Sequence, residues 1–481
     1  MTNEETHNHN LYENPLGTKP IGKLLVEFSV PAIISCLINS VYNIVDQVFI
    51  GQGVGYLGNA ATTIAFPIMT ILLAFGTLTG SGAGAYAAIR LGEKKHEQAE
   101  KTLNNAFWFS VLIGIVLMVL GLVFLTPILR CFGATETVLP YAIDYTGIVL
   151  LGTPFNMVAI VLSNLARTDG HPRLSMYGML IGAALNTILD PIYIFVFHWG
   201  VKGAAIATVT SQIISAVVLT AYFIRSIDQP QHMQLRKQYI KLDAKLIVKF
   251  LVLGISSGIT QGVACLMQVV MNNSLVYYGN QSPIGGDVAL SAMGIVMKIA
   301  MIMAAFGVGI GIGAQPILGY NRGAGHYHRI KKTYLLAIAF ATGLIFLCWI
   351  VCQVMPEPII GLFGKENQAF TDFAVKCLRI YLFSIFCAGF QIVSTNYFQA
   401  TGQPLKASIL SMLRQLLLLI PLILILPLFW GLEGILYSAP IADAASAVIV
   451  AIFIVPEMRK LQDNIHKEDM EASQLQQEVA Q

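Results

Sequence analysis

Between residues 21 and 458 the chain turns apolar again and again, in runs of roughly 20 residues or more, long enough for a helix to cross about 30 Å of hydrocarbon. A large soluble core is excluded, because no polar face recurs at helical spacing to meet water. Composition agrees: 56% of the residues are hydrophobic and 11% are charged, where a soluble domain carries about 25% charged. Mean hydropathy is +0.68. The fold class that follows is an all-α integral membrane protein.

The runs predict twelve helices, over 21–50, 59–91, 100–127, 138–166, 174–197, 202–226, 244–279, 288–320, 332–355, 370–400, 405–429 and 433–458. Lys and Arg concentrate in alternate loops, at Arg90, Lys94, Lys95 and Lys101, at Arg167 and Arg173, at 225–249, at 322–332 and at Lys406. The opposite loops offer little beyond Arg130, Lys202 and Lys365. The positive-inside rule then puts both termini and the basic linker 227–243 in the cytoplasm of a multi-pass cell-membrane protein. The tails are 1–20 and 459–481. The polar start lacks a signal-peptide core, so no cleavage is expected.

Several function classes drop out. A net charge of +3 is too mild for nucleic acid. The seven cysteines mostly sit inside apolar runs without paired metal spacing, and they suit the role of small hydrophobes. All nine histidines fall in tails, loops or helix ends, with no acid-rich metal motif and no nucleophile beside a base. No enzyme, resident metal or cofactor is expected.

The chain also repeats itself. "FGTLTGSGAGAYAAIRLGEKKHEQAEKT" (75–102) matches "FGVGIGIGAQPILGYNRGAGHYHRIKKT" (306–333) at Gly76/Gly307, Gly80/Gly311 and Gly82/Gly313. "SNLARTDGHP" (163–172) echoes "TNYFQATGQP" (395–404), and "HWGVKGA" (198–204) echoes "FWGLEGI" (429–435), all near an offset of about 231. Two six-helix lobes follow, 21–226 and 244–458, inserted in the same sense and related by an axis along the membrane normal. Glycines one turn apart, such as Gly80 and Gly84, serve close helix packing. A phosphate loop would need a strand and a Lys-Ser/Thr that "GSGAG" lacks.

Against this background a few acids stand inside the apolar runs: Asp46, Asp144, Asp190 and Asp443. A carboxylate there costs about 2.5 kcal/mol or more, so it faces a wet cavity or a partner. In "GAALNTILDPIYIF" (182–195), Asn186 precedes Asp190 by one turn on the same face, and Pro191 frees a backbone carbonyl nearby. In "NSVYNIVDQ", Asn39, Asn43 (or Tyr42) and Asp46 form a second polar stripe. If both stripes face the lobe interior, they converge on an ion-coupling site. A proton suits a desolvated acid beside another acid, and sodium suits carboxylate, amide and carbonyl oxygens. The plainer alternative is that these acids only hydrogen-bond between helices. Met267, Met271, Met293 and Met297 cluster on the seventh and eighth helices as flexible thioethers suited to apolar cargo, or as core filler. Lys298 and Arg414 are membrane cations whose partners the sequence leaves open.

The stretches "FSVPAIISCLINSVYNIVDQVFIG", "ARTDGHP", "LNTILDPIYIF" and "GVKGAAIAT" resemble the multidrug and toxic compound extrusion (MATE) family, nearest its MepA-type multidrug exporters and close to the DinF branch. The resemblance runs from about Pro15 to about Arg459. It implies a V-shaped transporter of two six-helix lobes that exports lipophilic, often cationic drugs by antiport against protons or sodium. The family's helix-1 proline matches Pro31, its helix-1 carboxylate Asp46, and its helix-5 Asn and Asp map onto Asn186 and Asp190. Pro31 and Pro191 are the expected kinks. The C-lobe acids of some branches are missing here, which leaves Gln268 and Asn272 as weak substitutes. The substrate-cavity candidates are Met267, Gln268, Met271, Met293, Met297 and Asp443. The partners implied are the lipid bilayer and small amphipathic drugs, with a monomer as the working unit. The alternative is a lipid-linked precursor flippase of the same superfamily, which would need several cavity arginines to hold a pyrophosphate.

Overall fold

The computed structural model describes residues 14–225, 232–361 and 368–480, and nearly all of them are helical. His7, His9 and Lys365, part of the linker and the side chain of Asn43 lie outside the described residues. Ten helices among the described residues are long and apolar enough to cross a membrane, and an eleventh span forms if Leu139–Leu151 and Thr153–Thr168, bent by 51°, count together. Pro154 explains that bend, since it brings no N–H to the turn it opens. The expected span 370–400 is broken too, into Gln368–Tyr381 and Cys387–Ala400 with a turn at 382–386. Its first piece carries Asp372, Lys376 and Arg379, so by length and polarity neither piece is a span by itself. The two breaks fall about 231 residues apart, as the repeat requires.

Packing repeats with the sequence. A Cβ placed on Gly80 would lie 2.8 Å from Asn164 Nδ2, and one on Gly311 would lie 2.6 Å from Asn396 Nδ2. Gly76 and Gly307 stand in the same way against Ile160 and Ile392. Each asparagine donates to the carbonyl one turn back, Ile160 or Ile392, at 2.9 Å. The glycines thus admit one polar side chain into each helix crossing, at matching positions of the two halves.

The chain packs as two compact units. The first comprises Val30–Gly262 with the described part of Met1–Thr18, and the second comprises Lys19–Ser29 with Val263–Gln481. The division therefore falls inside the helices Ile21–Val54 and Ala244–Asn280. In the first unit the start of Ala244–Asn280 presses on Tyr56–Gly92: a Cβ on Gly254 would meet Leu78 O at 1.8 Å. In the second, Arg329 Nη2 donates to Lys19 O at 2.7 Å.

The described end of the linker is bound to the first unit. Asp169 Oδ1 accepts from Met233 N at 2.8 Å, and Oδ2 accepts from Tyr222 Oη and pairs with His232 Nδ1, each at 2.7 Å. Glu100 accepts from Gln234 N, Asn104 from Arg236 N and Asn105 from Asp243 N. Burial alone would lift the Asp169 carboxyl, but the nearby His171 and the hydrogen bonds with His232 and Met233 overrule it and hold the group below its ordinary value. The same contact raises His171 above the usual imidazole value.

The C-terminal segment, expected as a tail from 459, continues helical to Ala480. Leu461 and Ile465, one turn apart, are buried, and Lys331 Nζ donates to Gln462 Oε1.

Candidate ion-binding site

The site forms where the helix Pro172–Pro191 gives way to the π-helical turn Ile192–Val196. Pro191 brings no N–H donor to the carbonyl of Thr187, which loosens the ladder and makes the wider turn accessible. One turn earlier Asn186 and Asp190 share a face, and that face is dry: Asn186 is 2% and Asp190 0% exposed. With its amide nitrogen turned to the acid, Asn186 donates to Asp190 Oδ2 at 3.0 Å and accepts from the Thr208 hydroxyl at 3.2 Å. Thr208 comes from the neighbouring helix Gly200–Ile224.

Asp46, on Ile21–Val54, closes the site from the other side. It is 8% exposed, and its carboxyl lies beside that of Asp190. Its Oδ1 has no hydrogen-bond partner among the described residues. Tyr42, one turn before Asp46, interacts with both acids. Tyr145, on Leu139–Leu151, stands beside Thr208 and within electrostatic range of Asp46, Asp190 and Tyr42. Two carboxyls thus meet in a pocket whose remaining ligands are an amide, a hydroxyl and two phenols. Fully ionised, such a pair repels, whereas one proton or one hard cation between the oxygens satisfies it.

Of the residues singled out in the sequence, Asp46, Asn186, Asp190 and Tyr42 come together. Asn39 lies earlier on the same helix and is exposed. Tyr145 and Thr208 escaped the reading. Tyr145 adjoins Asp144, which drew attention by its charge, but one residue of helix turns the side chain to another face. Asp144 is half-exposed and pairs with Lys202 at 3.4 Å.

The second unit holds a different arrangement. Arg414, whose partner the sequence left open, and Asp443, expected in the substrate cavity, pair with each other at 2.5 Å, with Tyr381 beside them. Lys298 is exposed. Met267, Met271 and Met293 are buried in that unit's hydrophobic core, and Met297 packs against it. Gln268 donates to Asn272 at 3.0 Å. No group of three or more His, Cys, Asp or Glu among the described residues is placed to hold a metal ion.

Known proteins match this chain along most of its length. The MatE family model fits residues 31–192 and again 262–425, two stretches that begin about 231 residues apart. The chain is similar to the multidrug export protein MepA of Staphylococcus haemolyticus (strain JCSC1435), with 30% identity over 91% of this chain and 94% of that protein. It is 28% identical to the MepA of Staphylococcus aureus (strain MRSA252), over 90% and 94%. Among solved structures, a MATE protein in complex with MaL6 superposes with a TM-score of 0.87 at 21% identity, covering 93% of this chain and 99% of that one. An outward-facing multidrug resistance MATE transporter of the MOP superfamily gives 0.86 at 20% identity, over 95% and 98%.

Proposed function

The chain belongs to the MatE family, and on that premise we propose that this multi-pass membrane protein exports lipophilic, often cationic compounds by antiport against protons or sodium. The observation that carries the proposal is the contact between Asp46 and Asp190. A carboxylate held in the membrane costs about 2.5 kcal/mol or more, so an acid pair kept there is a standing affinity for a cation. The membrane potential adds about 2.3 kcal/mol per charge per 100 mV to any inward cation gradient. In alternating access, the ion that neutralises the pair on one side is released on the other, and cargo moves in the opposite sense. The MepA relatives are named as multidrug exporters, which supports the cargo class.

The finer reading is a monomer with both termini cytoplasmic, needing no cofactor besides the coupling ion. A flippase for lipid-linked precursors is disfavoured by chemistry: pyrophosphate calls for several cavity cations, and Arg414 and Lys298 are too few to hold it.

The test is uptake of a lipophilic cation into proteoliposomes under an imposed pH or sodium gradient. Wild type is expected to concentrate the compound under at least one gradient, and Asp190→Asn to lose that accumulation while keeping its melting temperature. Full accumulation by Asp190→Asn would remove the acid pair from the mechanism.

A further inference from the structure

The ion pair of the second unit is not used by the coupling reading, and its geometry is incomplete as a structural pair. Arg414 lies in the π-helical stretch Leu413–Leu419 within the span Pro404–Ile425. Its Nε donates to Asp443 Oδ1, and Asp443 is 1% exposed. That bond occupies one of five guanidinium N–H donors. Among the described residues Nη1 and Nη2 have no hydrogen-bond partner, and the Arg414 side chain keeps 24% of its surface open. Asp443 Oδ2 is buried and also lacks a partner among the described residues.

A pair whose task is only to hold helices together closes as a two-bond fork, because every unmade bond in a dry site is a loss. Here the acid takes one edge of the guanidinium, offsets its charge and fixes its plane. The other edge, with its parallel N–H groups, stays reachable. That edge matches a planar anion with two oxygens. Tyr381 stands beside the pair and adds an aromatic wall.

We propose that Arg414, anchored by Asp443, is a specificity-determining residue that binds the carboxylate of those transported amphipaths that carry one. The proposal rests on the transport reading for the identity of the cargo, whereas binding is measured without it. The first unit answers to cations, and the second selects acids and zwitterions by their anionic end.

The test is equilibrium binding to the detergent-solubilised full chain of two fluorescent amphipaths that share a scaffold: a tertiary amine, and the same amine with an added aromatic carboxylate. Arg414→Lys keeps a positive charge opposite Asp443 and loses the fork. It is expected to weaken binding of the carboxylate compound about tenfold and to leave the amine within about twofold. Excess free benzoate is expected to compete with the carboxylate compound in wild type and to lose that effect in the variant. If melting shows Arg414→Lys misfolded, the pair of changes Arg414→Gln and Asp443→Asn removes both charges together and is read in the same way. Equal loss for both compounds, no loss for either, or a wild type that fails to bind the carboxylate compound overturns the assignment. Should the amine not be transported by wild-type vesicles while the selective loss of binding persists, the transport reading falls and this site stands.

Discussion

Gly254, Gly258 and Gly262 stand one turn apart on a single helix, yet they meet three different surroundings, so alanine at each should have a different effect. A Cβ on Gly254 would sit 1.8 Å from Leu78 O and 2.8 Å from Leu78 C, both backbone atoms that cannot rotate away. Reaching ordinary contact near 3.5 Å requires the helices to part by about 1.7 Å, which also opens the crossing at Gly82. Overpacking of this kind typically costs about 1–3 kcal/mol, and more where backbone meets backbone. At Gly258 the nearest atoms are Leu78 Cδ1 and Cβ at 3.0 and 3.1 Å, so the neighbour must give by only a few tenths of an ångström and the effect is far smaller. At Gly262 no atom of the described residues lies within 4 Å. There alanine gains about 0.5–1 kcal/mol from the smaller backbone entropy lost on helix formation. The assay is thermal unfolding of the three purified variants in one detergent. The expected order is Gly254→Ala below wild type, by about 1–3 °C or more, Gly258→Ala close to it, and Gly262→Ala at or slightly above it. Three equal shifts, or an unchanged Gly254→Ala, would refute the close crossing.

Further outcomes follow from the sites described. Asp169→Asn removes the charge that binds the linker, and hydrogen exchange at the amides of Met233 to Arg236 should then speed up about tenfold or more at neutral pH. The lowered Asp169 value gives stability that is present above about pH 4 and lost as pH falls through its folded value. The raised His171 value gives stability that is full below about pH 6.5 and fades as pH rises through its folded value. Linker protection, corrected for intrinsic exchange rates, should therefore be greatest between about pH 4 and 6.5, and a flat profile would contradict the pairing. Thr208→Val deprives Asn186 of its hydroxyl partner and should reduce gradient-driven transport about fivefold or more without altering the melting temperature. Cys131 is exposed while the other cysteines are half-buried or buried, so a membrane-impermeant maleimide should label it from outside intact cells if the termini are cytoplasmic.

Much of this architecture was legible in the residues, because lipid enforces simple rules. A span must be apolar for some 20 residues, and the spans declare themselves wherever one helix runs unbroken. The bend after Leu151 was harder to see, since the apolar pattern continues straight across Gly152 and only Pro154 signals the change. The break at 382–386 has no proline or glycine at all. The repeat was visible through glycines, and their partners Asn164 and Asn396 give it a physical meaning. In the site, the charged members stood out because charge in lipid needs a reason. Tyr145 and Thr208 did not, because a tyrosine or threonine in an apolar helix is unremarkable until its neighbours are known. The Arg414–Asp443 pair joins residues 29 positions apart in sequence, with no periodicity to connect them. The linker looked like a plain basic tether, because its attachments run largely through backbone amides, which leave no mark in composition.

The most direct test of the account is to impose an outward gradient of a lipophilic cation across proteoliposomes and measure the counterflow of protons or sodium that it drives. Wild type should move one of these ions against the cargo. Asp190→Asn should bind the same compound within about twofold and move neither ion, since the remaining carboxyl has lost its partner acid. Cargo-driven ion counterflow at the wild-type rate in Asp190→Asn would contradict the claim that the Asp46–Asp190 pair couples the two fluxes.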